Sequence, residues 1–336
     1  MDFVTGINTE RNDSMTGYEL PRERKMLEWK RTLRAVRADW LLYAMLIPGL
    51  LYFFLFHYMP MYGVTIAFRD YNIVSGMDNA PWIGLETFEK LFKRSAFKRA
   101  LGNNIRISLI KICFGFPLPI ILSLIIGEVW SGKFRKAVQT TVILPSFLSW
   151  FIVYGILTAM CNLSDGVIPS VVRSINQAFG TEFQAVNYMT NKDTFDAYMM
   201  LTYIWKEIGM GTVVYLAAIT GVDRQLYEAA SIDGAGRFKQ IWHVTIPCIR
   251  TVLVMQLIFR VGQVMNAGFD QMFALSNSLV QAKADIIDTY VYRVGMEEAK
   301  FSLATAAGLF KSAIGLVLVL VTNGIARRVD PDSAIM

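Results

Sequence analysis

The sequence predicts an all-α integral membrane protein with about six transmembrane helices, and three observations carry that reading. Apolar residues make up 54% of the 336 positions, and the mean hydropathy is +0.39. They gather in runs close to or above the roughly 20 residues that cross a hydrocarbon core about 30 Å thick. The basic residues, behind a net charge of +6, collect beside those runs, where lipid headgroups and topology account for them better than nucleic acid does.

Residues 1–38 are polar and basic, with Arg22, Arg24, Lys25, Lys30, Arg31, Arg34 and Arg37. The positive-inside bias expects this segment in the cytosol. The run from Trp40 to about Met61 is too long and too aromatic for a cleaved signal peptide, so it reads as an uncleaved first span. Residues 62 to about 103 read as external, with a turn at Pro81-Trp82-Ile83-Gly84 and an interfacial helix carrying Phe88, Leu91, Phe92 and Phe97. Lys90, Lys93, Arg94, Lys98 and Arg99 run against the bias there, but the bias is read mainly from short loops and the first span.

Span two covers about 104–128 and contains Pro117 and Pro119, so a kink is expected. A basic connector, Lys133-Phe134-Arg135-Lys136, leads into span three at about 137–160, with Pro145 inside. Residues 162 to about 196 form a second external loop, and span four is about 198–220. A loop at 221–247 precedes span five, about 248–275. A polar external loop follows to about 303, then span six, about 304–326, closed by Arg327 and Arg328. Residues 39–330 are thus the transmembrane domain and 331–336 a tail, with both termini expected in the cytosol.

Other classes of chemistry find little to build on. Cys113, Cys161 and Cys248 show no paired spacing, and His57 and His243 lie far apart, so no metal site is expected. The chain has no Walker-type glycine loop and no G-x-S-x-G. It is therefore not expected to be an enzyme or to bind a cofactor itself.

Ionisable residues at membrane depth are functional candidates by default. Here they are Lys111, Lys206, Glu207, Arg260 and Lys311, joined by the amides Gln256, Gln263, Asn266 and Asn323. One reading neutralises Lys206 and Glu207 against neighbouring helices and lets Arg260 or Lys311 snorkel. The other lines a polar passage with spans four, five and six, because a polyhydroxylated solute needs donors and acceptors along its route. Adjacent helical residues diverge by about 100°, so Lys206 and Glu207 need not pair.

The loop at 221–247 carries unusual local order. Asp223 is a plausible N-cap for a helix over 224–233, with Leu226, Ala229 and Ala230 on one thin face and Glu228 on the polar side. Gly234 and Gly236 permit a sharp reversal. Phe238, Ile241 and Trp242 share a face in a second segment expected to pack beneath the bundle, and Pro247 suits the first turn of span five.

The spacing of Glu228-Ala229-Ala230, three residues, Gly234, nine residues, Val244, one residue, Ile246-Pro247 resembles the EAA loop of binding-protein-dependent ABC importer permeases. The chain departs from that pattern by Val244 for isoleucine and Ile246 for leucine, both apolar exchanges. Phe56-His57-Tyr58-Met59-Pro60-Met61-Tyr62-Gly63, Ala67-Phe68-Arg69-Asp70-Tyr71, the stretch from Asn103-Asn104 to Phe116-Pro117, Gln139 to Pro145, and Trp205-Lys206-Glu207-Ile208-Gly209 are similar to the LplB-type, MalF-like carbohydrate permeases. The likeness covers nearly the whole chain from about residue 38.

The resemblance implies a type I importer fold and a subunit that translocates a sugar or oligosaccharide, including uronate-containing ones. Lys111, Arg260 or Lys311 would attract an acidic solute. The implied partners are a second, MalG-like permease subunit, a cytosolic ABC ATPase dimer holding ATP and Mg, and an extracytoplasmic solute-binding protein, with the chain in a bacterial plasma membrane among lipid. Glu228 would pair with a basic group on the ATPase, Ala229 and Ala230 would seat the helix in its cleft, and Gly234 would make the turn. Rival readings are a same-family permease for glycerol phosphate or amino acids, an ion-coupled secondary transporter, for which broken helices in paired halves and ion ligands would be expected, and a membrane receptor or scaffold.

Overall fold

The computed structural model describes residues 38–74, 76–129, 131–183 and 187–329. The basic stretch at 22–37 and the tail at 331–336 lie outside the described residues. Among those described, the regular structure is helical, with one isolated bridge between Arg69 and Trp82. The chain divides into a unit ending at Gly63 and a larger unit from Val64 onward.

The first unit holds helix α1, Trp40–Phe53, a π-helical turn, Phe54–Tyr58, and the start of a 3-10 segment, Met59–Phe68. Trp40–Phe68 is apolar and long enough to cross a membrane, and none of α1 is buried. That exposure is what a lipid-facing helix requires, since lipid rather than protein covers its side chains.

In the second unit, α2 is Glu86–Lys93, α3 Ser95–Gly115, α4 Pro117–Gly127, α5 Gly132–Ile143, α6 Trp150–Cys161, α7 Val167–Phe179 and α8 Phe195–Thr220. Then come α9 Arg224–Ile232, α10 Arg237–Gln240, α11 Ile246–Cys248, α12 Arg250–Gly262, α13 Phe269–Leu275, α14 Gln281–Ala284, α15 Ile287–Tyr292 and α16 Phe301–Val329. Helix α8 is the hub, packed against α3, α4, α5 and α12, while α16 packs on α2, α12 and α15. Alanines let α16 approach closely: Ala304, Ala306 and Ala307 meet Phe97, Tyr290 and Val294 in one core cluster.

Among the described residues three helices pass as spans by length and apolarity, Trp40–Phe68, Ser95–Gly127 and Phe301–Arg328, and taking each of two bent pairs as one span brings the number to five. Helix α8, 26 residues long, reaches about 39 Å at 1.5 Å per residue, long enough for a span, but Lys206 and Glu207 keep it less apolar than those five. Five of the six expected spans thus meet the length and apolarity test, the expected span four is helical but more polar, and several boundaries differ. Span two begins at Ser95, so Phe97 belongs to it rather than to the interfacial helix. Span three is bent by 96° between Phe147 and Trp150. Pro145 lies in the first turn of the 3-10 segment Leu144–Phe147, where its missing N–H costs nothing, and Ser149 caps α6 by accepting from the Ile152 amide at 3.3 Å.

Span five is also corrected. Its helical path starts at Arg237 in the loop, bends by 66° after Cys248 and stops at Gly262, so 263–268 are unwound and Phe269–Leu275 is a separate helix. The stretch expected to be a polar loop after Leu275 is packed instead, with Ile286, Ile287 and Tyr290 at most 1% exposed. Asp285 is tolerated there because Arg293 grips it through two hydrogen bonds of 3.0 and 2.6 Å.

Candidate functional site

Helix α3 carries Asn104, Ser108 and Lys111 at i, i+4 and i+7, one face. That face meets the unwound segment after α12 and satisfies carbonyls a helix would otherwise use. The Asn104 amide donates to the Val264 and Met265 carbonyls at 3.2 and 3.3 Å, Ser108 Oγ to Val264 at 2.6 Å, and Lys111 Nζ to Ala267 at 2.6 Å. Non-helical backbone at membrane depth persists where protein or a cavity takes up its polar groups. Gly268, at φ +97°, ends the segment; a Cβ there would lie 2.9 Å from Lys111 Nζ.

Beside the break is a cavity of about 200 Å³, lined by Ser108, Lys111, Tyr203, Arg260, Gln263 and Asn266 among others. Four of the nine intramembrane polar candidates therefore converge, Lys111, Arg260, Gln263 and Asn266. Tyr203 joins them: its hydroxyl accepts from Arg260 Nη1 at 2.6 Å, and Lys111 Nζ lies 4.6 Å from its ring centroid. Neither Lys111 nor Arg260 forms an ion pair among the described residues. Glu207 lines a small adjoining gap with Tyr203 and Arg260.

The remaining candidates go elsewhere. Lys206 and Glu207 pair with each other, at 2.9 Å, rather than with charged groups on neighbouring helices; a long lysine stem spans the 100° between them. Lys206 is 6% exposed, donates to the Ser146 carbonyl at 3.2 Å and lies 5.2 Å from the Trp150 ring centroid, so it supports the bend of span three. Lys311 pairs with Asp288 at 2.5 Å on the α15 side, rather than snorkelling. Gln256 is half-buried on α12 and is not among the residues lining the 200 Å³ cavity. Asn104, Ser108 and Tyr203 were absent from the sequence-based candidates. The polar row at i, i+4 and i+7 on an apolar helix was the signal for the first two, whereas Tyr203 had none.

The second site is the loop. Asp223 caps α9 by accepting from the Gln225 amide at 2.9 Å, as expected. Gly234 takes φ +76°, and the Ala235 amide reaches back to the Ala230 carbonyl at 2.9 Å, closing the helix in the 6→1 manner of a Schellman turn. Gly236 has an ordinary φ of −67°. Gln240, buried, then bridges the turn: Nε2 donates to Ser231 Oγ at 2.8 Å and to the Ala235 carbonyl at 3.0 Å. Tyr227 and Thr245 hydroxyls meet at 2.9 Å. Glu228 is exposed on a surface cleft shared with Ser231 and Gly236, and Ala229 is exposed beside it. Val244 and Ile246 are half-buried behind it, and Pro247 stands in the first turn of α11. Phe238 and Trp242, expected beneath the bundle, are instead 73% and 56% exposed, because the segment's buried side is taken by Gln240 and Thr245.

Residues 119–334, which include the whole loop, match the family described as "Binding-protein-dependent transport system inner membrane component". The chain belongs to that family. It is similar to Protein LplB of Bacillus subtilis (strain 168), 39% identical over 92% of this chain and 94% of that protein. It is also similar to the polygalacturonan/rhamnogalacturonan transport system permease protein YteP of the same organism, 40% identical over 89% and 91%. A solved bacterial ABC transporter involved in the import of the acidic polysaccharide alginate matches with a TM-score of 0.82 and 38% identity, over 89% of this chain and 99% of that one. The alginate transporter in complex with its alginate pentasaccharide-bound periplasmic protein matches at 0.80 and 38% identity, over 89% and 98%. The chain is thus a multi-pass ABC importer permease of the LplB type.

Proposed function

We propose that this permease imports an acidic, uronate-bearing oligosaccharide. The observation that carries the reading is the pair of cations, Lys111 and Arg260, arranged about Tyr203 at a cavity beside unwound backbone. Lys111 donates to a neutral carbonyl and Arg260 to a phenol, so no protein carboxylate among the described residues occupies the place a solute carboxylate would take. Gln263 and Asn266 add amides for sugar hydroxyls, and the Tyr203 ring offers an apolar face. The relatives named for polygalacturonan and alginate carry acidic polymers, which agrees with that charge.

In this reading residues 39–330 are the permease domain, and the chain lies in a bacterial plasma membrane with both termini cytosolic, as Arg327, Arg328 and the basic stretch at 22–37 favour. ATP and Mg belong to a separate cytosolic ATPase dimer, a second permease subunit completes the path, and an extracytoplasmic binding protein delivers the sugar. Helix α9 is the coupling helix. Glu228 meets a basic group of the ATPase, and the exposed Leu226, Ile232, Phe238 and Trp242 offer it apolar surface. ATP-driven closure would then move the loop and α8 to α12 as bodies, a two-state switch.

The test is uptake by proteoliposomes containing the full importer. Oligogalacturonate and its methyl-esterified form, which lacks the charge, are compared with Lys111→Met and Arg260→Met variants. Acid-selective uptake lost in the variants supports the reading, and equal uptake of both sugars by the wild type would remove it.

A further inference from the structure

We infer that a second pocket, between the ends of α4 and α8 and the start of α9, binds a phosphate-bearing anion. The pocket, about 330 Å³, is lined by Arg135, Arg224 and Arg237 with a single carboxylate, Glu128. Glu128 is already used, 3.4 Å from Arg237. Two guanidinium charges are left facing shared space.

The placement of these arginines runs against local preference. Arg224 is the first residue of α9 and Arg135 the fourth of α5, the helix ends at which the backbone dipole disfavours a cation. Such conflicts between local rule and sequence concentrate at functional positions. Arg135 is held in place by its Nη2, which donates to the Gly127 and Val129 carbonyls at 3.0 and 2.7 Å, and its buried Nε has no partner. Planar guanidiniums converging on a small space suit the tetrahedral oxygens of a phosphate.

The walls say which phosphate fits. Leu124, Ile219 and Val222 line the same pocket as the arginines. Leu124 and Ile219 belong to the last turns of α4 and α8, where two spans end. A phospholipid headgroup meets that layering, with phosphate on the arginines and glycerol towards the apolar side. A free phosphate would use the arginines alone. Occupancy would link α9 to α4 and α5 through one anion, so lipid composition would tune how firmly the loop is held.

The test uses the full chain, purified in detergent and delipidated, with native mass spectrometry after adding phosphatidylglycerol or phosphatidylcholine of matched acyl chains. Thermal unfolding with millimolar inorganic phosphate forms the second arm. Preferential retention of phosphatidylglycerol assigns a lipid phosphate, whereas a phosphate-induced rise in Tm without lipid preference assigns free phosphate. Either effect is expected to weaken about tenfold in Arg224→Gln/Arg237→Gln and to persist in Lys239→Gln, a basic change in the same segment but outside the pocket lining. Should the double variant aggregate, Arg224→Gln alone, at an exposed position, gives the same comparison. Equal retention of both lipids with no phosphate effect, or an unchanged response in the arginine variants, would overturn the assignment.

Discussion

Gln240 donates to Ser231 across the Gly234 turn at 2.8 Å, and with the Tyr227–Thr245 hydroxyl contact this bond ties the helix bearing Glu228 to the segment that becomes span five. Ser231 in turn donates to the Tyr227 carbonyl at 2.8 Å, so the link runs into the body of α9. A loop held in this way can pass a displacement at Glu228 to the spans instead of absorbing it.

Gln240→Leu keeps the volume and removes both donors, leaving the Ala235 carbonyl without its side-chain partner. A loss of about 1–2 kcal/mol in local stability is expected. Hydrogen exchange across 227–245 should accelerate while α8 and α16 keep their protection. Unchanged exchange in the loop would mean that the bond does not hold it.

Gly234→Val places a β-branched residue at φ +76° in otherwise open space, so backbone strain rather than collision sets its cost. That strain is about 1–3 kcal/mol. Transport is expected to fall while membrane insertion and expression stay near wild type, as read by uptake normalised to permease in the membrane. Gly234→Asn, which tolerates this region better, should recover part of the loss.

Gly209 lies against the backbone of span three: a Cβ there would sit 2.2 Å from the Val142 carbonyl oxygen. Gly209→Ala must therefore separate α8 from α5, at a cost of about 1–3 kcal/mol. A fall in detergent-solubilised Tm is the expected reading, with Gly308→Ala, at an open position, as the neutral comparison.

Lys206→Met strands Glu207 and frees the Ser146 carbonyl at the bend of span three. Breaking such a pair from one side costs on the order of 3 kcal/mol, less here because Glu207 is about one-third exposed. The double change Lys206→Met/Glu207→Gln is expected to be milder than the single one, and a double-mutant cycle on Tm measures the difference.

These positions show which parts of the structure were legible in sequence. The helical class and the six apolar segments follow from composition and run length, which are local properties. The loop was also legible, because Asp223, Gly234 and the Glu228 spacing act within a few residues of one another. The breaks were not. The unwinding at 263–268 depends on Asn104, Ser108 and Lys111, about 160 positions away, and a run of apolar residues reads the same whether or not such partners exist. Likewise Pro145 falls where proline fits a helical turn, and the bend of span three follows it at Leu148-Ser149. Lys206 was legible as unusual but not as paired, since its partner depended on rotamer. Phe238 and Trp242 showed an apolar face without showing that this chain leaves it uncovered.

The central claim is that α9 couples this permease to ATP hydrolysis through Glu228. It is tested most directly by reconstituting the complete importer with Glu228→Ala and measuring sugar uptake and substrate-stimulated ATP hydrolysis in the same proteoliposomes. Losing one set of charge-assisted bonds should lower both by about tenfold or more, with the complex intact by size. Wild-type uptake together with wild-type stimulation would contradict the account.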